Sequence, residues 1–252
     1  MTEQRARGRG KGGAAASAPA RRASDRGRYG RLNRERVLAS ALALVDQEGL
    51  SALSMRRLGT ELGVEAMALY RYASSKDALL DGLVEALYLE LEERLAADGD
   101  EDTDWRAGLH RIARATYAVC LAHPQAVPLL ATRLLAVPLA RRPAAVLRDH
   151  ERVLAILRGA GFDEATTADV FRAFTAWLLG YVSVELRPVV DNPDETEPAF
   201  RLGLHRLSAK ELPTLRETAA ALVEQGGLQG LAAGLDALLD GFTNGSASAA
   251  SG

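Results

Sequence analysis

The spacing of the apolar residues constrains the fold most, because it follows a helical period from Leu32 onward. Intervals of three and four residues are typical of an amphipathic helix, whereas a half-buried strand alternates every second residue. The first such stripe consists of Val37, Leu38, Ala41, Leu42, Leu44 and Val45. The sequence carries neither a hairpin signal nor an internal repeat, so it predicts an all-α fold.

Polar and glycine residues mark the predicted helix ends. Asn33 is the expected N-cap of the first helix, and Gly49 its expected end. A long helix is predicted to begin near Ser75, and the acidic segment 98–104 that follows it predicts a domain boundary. Further helices are predicted over 105–121, 124–132, 141–158, 164–186, 209–224 and 228–242, followed by a disordered tail over 244–252.

Charge is distributed unevenly along the chain. The formal net charge of the 252 residues is −2, yet residues 1–31 hold nine basic and two acidic residues, a net charge of +7. This segment has few large apolar side chains, so we expect a disordered basic arm. A basic arm on an acidic body is compatible with an anionic partner such as DNA, although the total charge is near zero.

Several functional classes are not supported by the sequence. The single cysteine, Cys120, excludes an intramolecular disulfide and a cysteine-based zinc site. The four histidines lack the spacing of a helical metal site, and no phosphate-binding or dinucleotide-binding glycine motif occurs. We therefore predict no catalytic residues, no metal site and no cofactor.

No membrane partner is predicted either. The longest apolar stretch, 173–184, is too short to cross a bilayer of about 30 Å. A secretory signal needs a continuous apolar region after its basic start, and the chain offers none. We therefore expect a cytoplasmic protein.

Residues 50–76 predict a helix-turn-helix. Ser54 can cap a short helix over 55–62, and Gly63 permits the positive φ of a tight turn before a second helix over 65–72. Gly59 inside the first of these helices costs about 1 kcal/mol relative to alanine, so we expect the two helices to approach closely there. Such a motif, braced by a preceding helix, places its second helix in the DNA major groove.

The segment 32–80 resembles the DNA-binding domain of the TetR family of transcriptional regulators. The strings that carry the resemblance are LSMRRL at 53–58, LGV at 62–64, LYRY at 69–72 and SKDALL at 75–80. The resemblance implies a helix-turn-helix domain over 32–80, a connecting helix over 81–97 and a helical effector-binding and dimerisation domain over 105–243. It also implies a homodimer that binds operator DNA and a small-molecule effector.

Chemistry and the resemblance together suggest the DNA contacts. Arg56 can offer two donors to a guanine edge, and apolar Ala66 or Met67 can contact thymine methyl groups. Ser54, Tyr70, Tyr72 and Lys76 resemble phosphate contacts, although the two tyrosines could instead only pack against the core. The predicted DNA-binding set is Ser54, Met55, Arg56, Ala66, Met67, Tyr70, Arg71, Tyr72 and Lys76.

In the second half, large amphipathic side chains and scattered polar groups are the candidates. The resemblance implies a small-molecule pocket, for which we expect contacts from Trp105, His110, Tyr117, His123, Phe171 and Thr175. It also implies a dimer interface built by the helices over 164–186 and 228–242, with Phe174, Trp177, Tyr181, Leu231, Leu235 and Leu238. The alternative for any one of these residues is a purely structural role in the core.

Several functions are open at this point. The leading hypothesis is a ligand-responsive regulator, most often a repressor in the resembled family, which a small molecule releases from a palindromic operator. A transcriptional activator or a ligand-independent regulator is an alternative. A helical small-molecule-binding or enzymatic module with an incidental helix-turn-helix is an alternative of another class. We also expect the arm to follow phosphates or enter a minor groove, against the alternative of a solubilising extension.

Overall fold

The computed structural model describes residues 32–99, 104–191, 194–197, 200, 203, 206–224 and 226–249. All regular structure in these residues is helical, which confirms the all-α prediction. The predicted basic arm over 1–31 lies outside the described residues. From Asn33 onward the chain forms one compact unit.

Four helices precede the acidic segment: α1 (Arg34–Glu48), α2 (Met55–Leu62), α3 (Ala66–Leu69) and α4 (Lys76–Ala97). The Asn33 side chain accepts a hydrogen bond from the backbone N–H of Arg36 at 2.8 Å and so caps α1. Gly49 ends the helix with a φ of 81°. All six residues of the first apolar stripe are buried. The predicted cap, end and buried face of α1 are therefore confirmed.

Six helices form the body: α5 (Trp105–Ala122), α6 (Val127–Ala136), α7 (Ala144–Gly159), α8 (Glu164–Asp191), α9 (Pro213–Glu224) and α10 (Gly227–Ala249). The prediction of a disordered tail from residue 244 is wrong up to Ala249, because α10 continues to that residue. Residues 244–249 contain no proline to stop a helix that has already formed. None of the helices that the structure describes is both long and apolar enough for a membrane span.

The long helix α4 is shared between the N-terminal helices and the body. It packs against α1 on one side and against α5, α6 and α7 on others. Its apolar stripe is fully buried and consists of Leu79, Leu83, Leu87, Leu91 and Leu95. A displacement of α6 or α7 therefore acts directly on the helix that follows the helix-turn-helix.

Candidate nucleic-acid interface and ligand cavity

The turn between α2 and α3 is built from a cap and two glycines. The Ser54 hydroxyl accepts a hydrogen bond from the backbone N–H of Arg57 at 3.1 Å, and Gly63 ends α2 at a φ of 67°. A Cβ on Gly59 would lie 2.8 Å from the backbone oxygen of Val64. This distance confirms the expected reason for Gly59, which is the close approach of the segment that leads into α3.

The second helix of the motif is shorter than predicted. Helix α3 covers Ala66–Leu69 instead of 65–72, and a tight turn follows in which the carbonyl of Leu69 accepts from the N–H groups of Tyr72 and Ala73. Bonds to both groups tighten the last turn and end the regular helix. Leu69 is fully buried, whereas the side chain of Met67 is 76% exposed and that of Tyr70 is 43% exposed.

Most of the predicted DNA contacts are accessible to solvent. Arg56, Met67, Tyr70, Arg71 and Lys76 are exposed. The side chains of Ser54, Ala66 and Tyr72 are half-buried. Met55 is buried on the side of α2 that also carries Leu58 and Leu62. The prediction of a DNA contact at Met55 is therefore wrong, because its side chain is part of the core.

The adjacent arginines at the start of α2 differ in their partners. Arg57 pairs with Glu48 of α1 and, at 3.0 Å, with Glu61. The hydrogen bond from Arg57 holds the pKa of Glu48 below its ordinary value. The exposed side chain of Arg56 pairs with no carboxylate among the described residues. Arg57 thus joins α1 to α2, and Arg56 remains available to an anion or a base edge.

A cavity of about 540 Å³ lies between α6, α7 and α8. This volume is in the range of small-molecule sites. Its lining includes Arg142, His150, Phe171, Thr175, Leu179 and Ser183. A second cavity of about 220 Å³ adjoins it and shares the lining residues Ala131 and Ser183. The structure therefore offers two neighbouring, mainly apolar cavities beside α8.

Two family models match the chain. The model of bacterial regulatory proteins of the tetR family matches residues 37–83. The model of the tetracyclin repressor-like C-terminal domain matches residues 98–245, which is more than half of the chain. The chain belongs to the TetR family.

Known TetR-family proteins are similar over much of the chain. An HTH-type transcriptional regulator of Saccharopolyspora erythraea is 33% identical over 71% of this chain and 71% of its own length. The HTH-type transcriptional repressor DrrR1 of Streptomyces coeruleorubidus is 32% identical over 66% of this chain, and the match spans 58% of the repressor. The crystal structure of ActR from Streptomyces coelicolor in complex with actinorhodin has a TM-score of 0.67 and 26% identity, covering 86% of this chain and 99% of ActR.

Two of the six predicted effector contacts, Phe171 and Thr175, line the larger cavity. Three others make contacts elsewhere in this TetR-family chain. Trp105 packs edge-on against Phe162 with ring centroids 5.2 Å apart. His110 pairs with Asp236 at 2.8 Å, and Tyr117 is buried beside Tyr181. None of these three residues is among the described lining residues of the larger cavity, so the structure does not support effector contacts from them at this cavity.

The sixth predicted effector contact, His123, joins three helices. Its Nδ1 lies 2.8 Å from the Asp46 carboxylate of α1, and its Nε2 lies 2.8 Å from the Glu90 carboxylate of α4. Burial favours a raised pKa for Glu90, but hydrogen bonds from Arg94 and His123 outweigh burial and lower it. His123 follows the end of α5 and therefore connects the helix-turn-helix to the body instead of lining the larger cavity.

The predicted dimer contacts hold α8 against α10 within one protomer. Phe174, Leu231 and Leu235 are buried in the core of the single chain. The prediction that they form a partner interface is therefore wrong, because intrachain packing already covers them. Trp177 packs against Gly234, where a Cβ would lie 2.9 Å from the indole ring. The Tyr181 hydroxyl donates to the backbone oxygen of Gly227 at 2.6 Å, and the side chain of Leu238 is half-buried.

Sequence reasoning missed His150 and its neighbour Asp149. Both side chains are buried, and neither ring nitrogen of His150 has a hydrogen-bond partner in the structure. Burial lowers the pKa of His150 to about 4 and raises the pKa of Asp149 to about 6. The signal in the sequence was the position of His150 in the apolar stripe of α7, between Val146 and Val153. A polar residue at such a position is a candidate ligand contact.

Metal and thiol chemistry receive no support from the residues that can be examined. No group of three or more His, Cys, Asp or Glu residues is arranged to hold a metal ion in the described part of the chain. Burial raises the pKa of the Cys120 thiol to about 12. The thiol is therefore protonated at neutral pH and is a poor nucleophile.

Proposed function

We propose that the chain is a ligand-responsive transcriptional repressor that binds operator DNA as a homodimer and is released by a small molecule. One observation carries the proposal: Arg56, Tyr70 and Lys76 are all exposed in and beside the helix-turn-helix, and the body of the same chain contains a cavity of about 540 Å³. DrrR1, a similar protein, is a repressor, and ActR has been solved with actinorhodin bound. The first relative supports repression, and the second supports a small-molecule ligand.

The DNA-binding roles follow from exposure and chemistry. Arg56 reads a guanine edge with two donors, while Met67 contacts a thymine methyl group. Tyr70 and Lys76 bind phosphates, and the latter does so at the N-terminus of α4, where free backbone N–H groups favour an anion. We assign these roles to the domain over 32–80, with 81–97 as the connecting helix and 105–243 as the effector and dimerisation domain.

An ion pair provides a route from the cavity to the DNA-binding surface. Arg133 of α6 pairs with Asp77 in the first turn of α4, and its other terminal nitrogen lies 3.5 Å from Asp81. Ala131 of the same helix lines the cavity. A ligand that displaces α6 therefore also displaces the start of α4, which carries Lys76. Two conformations with different ligand and operator affinities are sufficient for release.

Dimerisation, location and the absence of catalysis complete the proposal. Two protomers read two half-sites about 34 Å apart, or a multiple of that distance, and thereby gain the specificity that one short α3 lacks. Since its partner is bacterial DNA, we propose a cytoplasmic location. We propose no catalytic activity, in keeping with a family of regulatory proteins.

Removing the charge of Arg56 is expected to weaken and relax operator recognition. Operators are first selected from a random duplex pool and then confirmed by retarded migration of a duplex from the chain's own upstream region. Arg56→Gln should lower affinity about 10- to 100-fold and abolish the preference for guanine at one position per half-site, since a bidentate base contact contributes roughly 1–3 kcal/mol. Arg172→Gln, which changes an exposed arginine of the body, serves as the matched control. An unchanged base preference would contradict the assigned role of Arg56.

Removing the charge of Arg133 is expected to reduce the effect of ligand binding on operator affinity. The measured quantity is the ratio of operator affinities with and without a compound that releases the wild-type protein. Arg133→Gln should reduce this ratio about fivefold or more while the compound still binds, because coupling free energies are typically 1–3 kcal/mol. Arg148→Gln removes a different ion pair to α4, that with Glu92 at 2.6 Å, and should preserve the ratio. Equal ratios for wild type and Arg133→Gln would refute this route.

A further inference from the structure

We propose that the cavity between α6, α7 and α8 selects a planar aromatic molecule with an anionic oxygen, which Arg142 and His150 bind together. This inference rests on the proposed ligand-responsive function and specifies the chemical class of the ligand. Four observations on the described residues carry it: a buried imidazole without a hydrogen-bond partner, an arginine without a carboxylate partner, a mainly apolar space and a lining without carboxylates.

The imidazole of His150 is the strongest indication of a ligand. The residue is only 5% exposed and lines the cavity, and neither ring nitrogen has a hydrogen-bond partner in the part of the chain that the structure describes. Buried polar groups are nearly always hydrogen-bonded, so an unpartnered one at a cavity wall points to a partner that enters the cavity. With its lowered pKa the ring is neutral at neutral pH and offers one donor and one acceptor.

Arg142 supplies the positive charge. Its Nε donates to the backbone oxygen of Val137 at 3.2 Å, and no carboxylate pairs with its guanidinium among the residues the structure describes. Arg172, at the same cavity, is 75% exposed and pairs with Asp169 at 3.2 Å. The charge of Arg172 is therefore compensated, whereas the half-buried Arg142 lacks a counter-ion that an anionic ligand can provide.

The sign of the ligand charge follows from the lining. Among the described residues, neither the larger cavity nor the adjoining one is lined by an aspartate or a glutamate. A cationic ligand would lie near Arg142 without an opposing charge, which is unfavourable at low dielectric. An anionic oxygen instead forms a charge-assisted pair with the guanidinium and accepts from the imidazole.

The shape of the space favours fused aromatic rings. The Phe171 ring contacts His150 edge-on, with centroids 5.2 Å apart and planes at 87°, so it offers an aromatic wall. Small residues, Ala131, Ala176 and Gly180, keep the lining open, and the second cavity extends it. The Ser183 hydroxyl donates to the backbone oxygen of Leu179 at 2.6 Å and can therefore still accept from a ligand hydroxyl.

The test uses two probes of nearly the same size and shape, 3-hydroxy-2-naphthoate and its neutral amide, 3-hydroxy-2-naphthamide, in which an NH2 donor replaces one carboxylate oxygen. Both are titrated calorimetrically into the full chain at pH 7.5. We expect the carboxylate to bind about tenfold more tightly than the amide, as a charge-assisted pair replaces a neutral hydrogen bond. Equal or tighter binding of the amide would overturn the proposal.

Variants of Arg142 and His150 then show which residue causes the preference for the carboxylate over the amide. Arg142→Gln should bind the two probes equally while keeping the affinity for the amide, and Arg142→Lys should restore the preference for the carboxylate. His150→Phe should weaken both probes, since both lose the imidazole contact. The matched control Arg148→Gln changes an exposed arginine of α7 that pairs with Glu92, and it should behave as wild type. A carboxylate preference that survives Arg142→Gln would show that another group provides it and would overturn the assignment.

Operator release separates this inference from the proposed function. Release of the selected operator by naphthoate, lost in Arg142→Gln, supports both. Carboxylate preference without any release supports the ligand class and contradicts the ligand-responsive repressor for this class of compound. Release by neutral or cationic compounds, with no preference for the carboxylate, supports the repressor and overturns the ligand class.

Discussion

Gly59→Ala is expected to lower operator affinity about 100-fold or more, since misplacing α3 removes several contacts that each contribute roughly 1–3 kcal/mol. The added Cβ would lie 2.8 Å from the oxygen of Val64 and 3.3 Å from the backbone nitrogen of Ala66. Both are backbone atoms, so no side chain can rotate away. The turn has to shift, and with it the start of α3. The substitution does not destabilise helix α2 itself, because alanine favours a helix by about 1 kcal/mol relative to glycine.

The experiment compares operator affinity and thermal unfolding of the two forms. Gly159→Ala is the matched control, because a Cβ at this residue of α7 meets no atom within 4 Å. The control should bind the operator as wild type does. Circular dichroism and probe binding should show that the Gly59→Ala body is still folded. Wild-type operator affinity of Gly59→Ala would contradict the close packing of α2 on the segment before α3.

Asp149→Asn is expected to stabilise the protein at pH 7 by up to about 3 kcal/mol, the free energy that corresponds to a pKa difference of roughly two. Asp149 is only 8% exposed; its Oδ1 lies 3.8 Å from Nη1 of Arg152 and has no hydrogen-bond partner among the described residues. Burial raises the pKa of Asp149 to about 6 from the ordinary 3.8. The charge of Arg152 lowers this pKa, and the charge of Glu92 raises it, but both effects are smaller than that of burial. The ionised carboxylate is therefore unfavourable in the folded state, and the neutral amide removes this penalty.

The pH dependence distinguishes Asp149 from His150. Above pH 6, Asp149 is ionised in both states and destabilises the fold. As the pH falls from 6 to 3.8 the folded state binds the proton first, so this penalty disappears. His150 acts oppositely: burial and the charge of Arg142 lower its pKa to about 4 from 6.5. The unfolded chain therefore binds a proton first, and stability is lost as the pH falls from 6.5 to 4.

Chemical denaturation between pH 4 and 7.5, at one protein concentration, checks both assignments. Relative to wild type, Asp149→Asn should lose more stability as the pH falls from 6 to 4. His150→Phe, which retains an aromatic ring beside Phe171, should gain stability over the same range. Subtracting the free energy of unfolding of one variant from that of the other removes the contribution of the other carboxylates, because these titrate alike in both variants. Parallel curves for wild type and both variants would contradict the assigned pKa shifts.

Local signals in the sequence predicted the helix-turn-helix well. Asn33, Ser54 and Gly63 act through their own backbone or the next turn, so a reader of the sequence can place them. The expected crowding at Gly59 is also confirmed, because the turn brings residues only five positions apart into contact. The end of α3 was misplaced, since helical spacing does not show where a tight turn replaces a regular helix.

Roles that depend on a distant partner could not be derived in this way. Arg56 and Arg57 are identical neighbours, and only the packing of α1 on α2 shows that Glu48 neutralises the second one. The sequence predicted a ligand contact at His123, whereas in the fold its two ring nitrogens face the carboxylates of Asp46 and Glu90. The aromatic residues of α8 followed a helical stripe equally suited to a core, a pocket or an interface.

The sequence by itself determined the helical class, the position of the helix-turn-helix and the family, because helix periodicity, caps and turn glycines act over a few residues. The tertiary structure decided which polar groups are paired, which are buried without a partner, and where α6, α7 and α8 leave a cavity. Those properties depend on residues far apart in the chain, such as Arg133 with Asp77 and His150 with Phe171. Burial and pairing, which set charge and availability, arise only when the helices pack together.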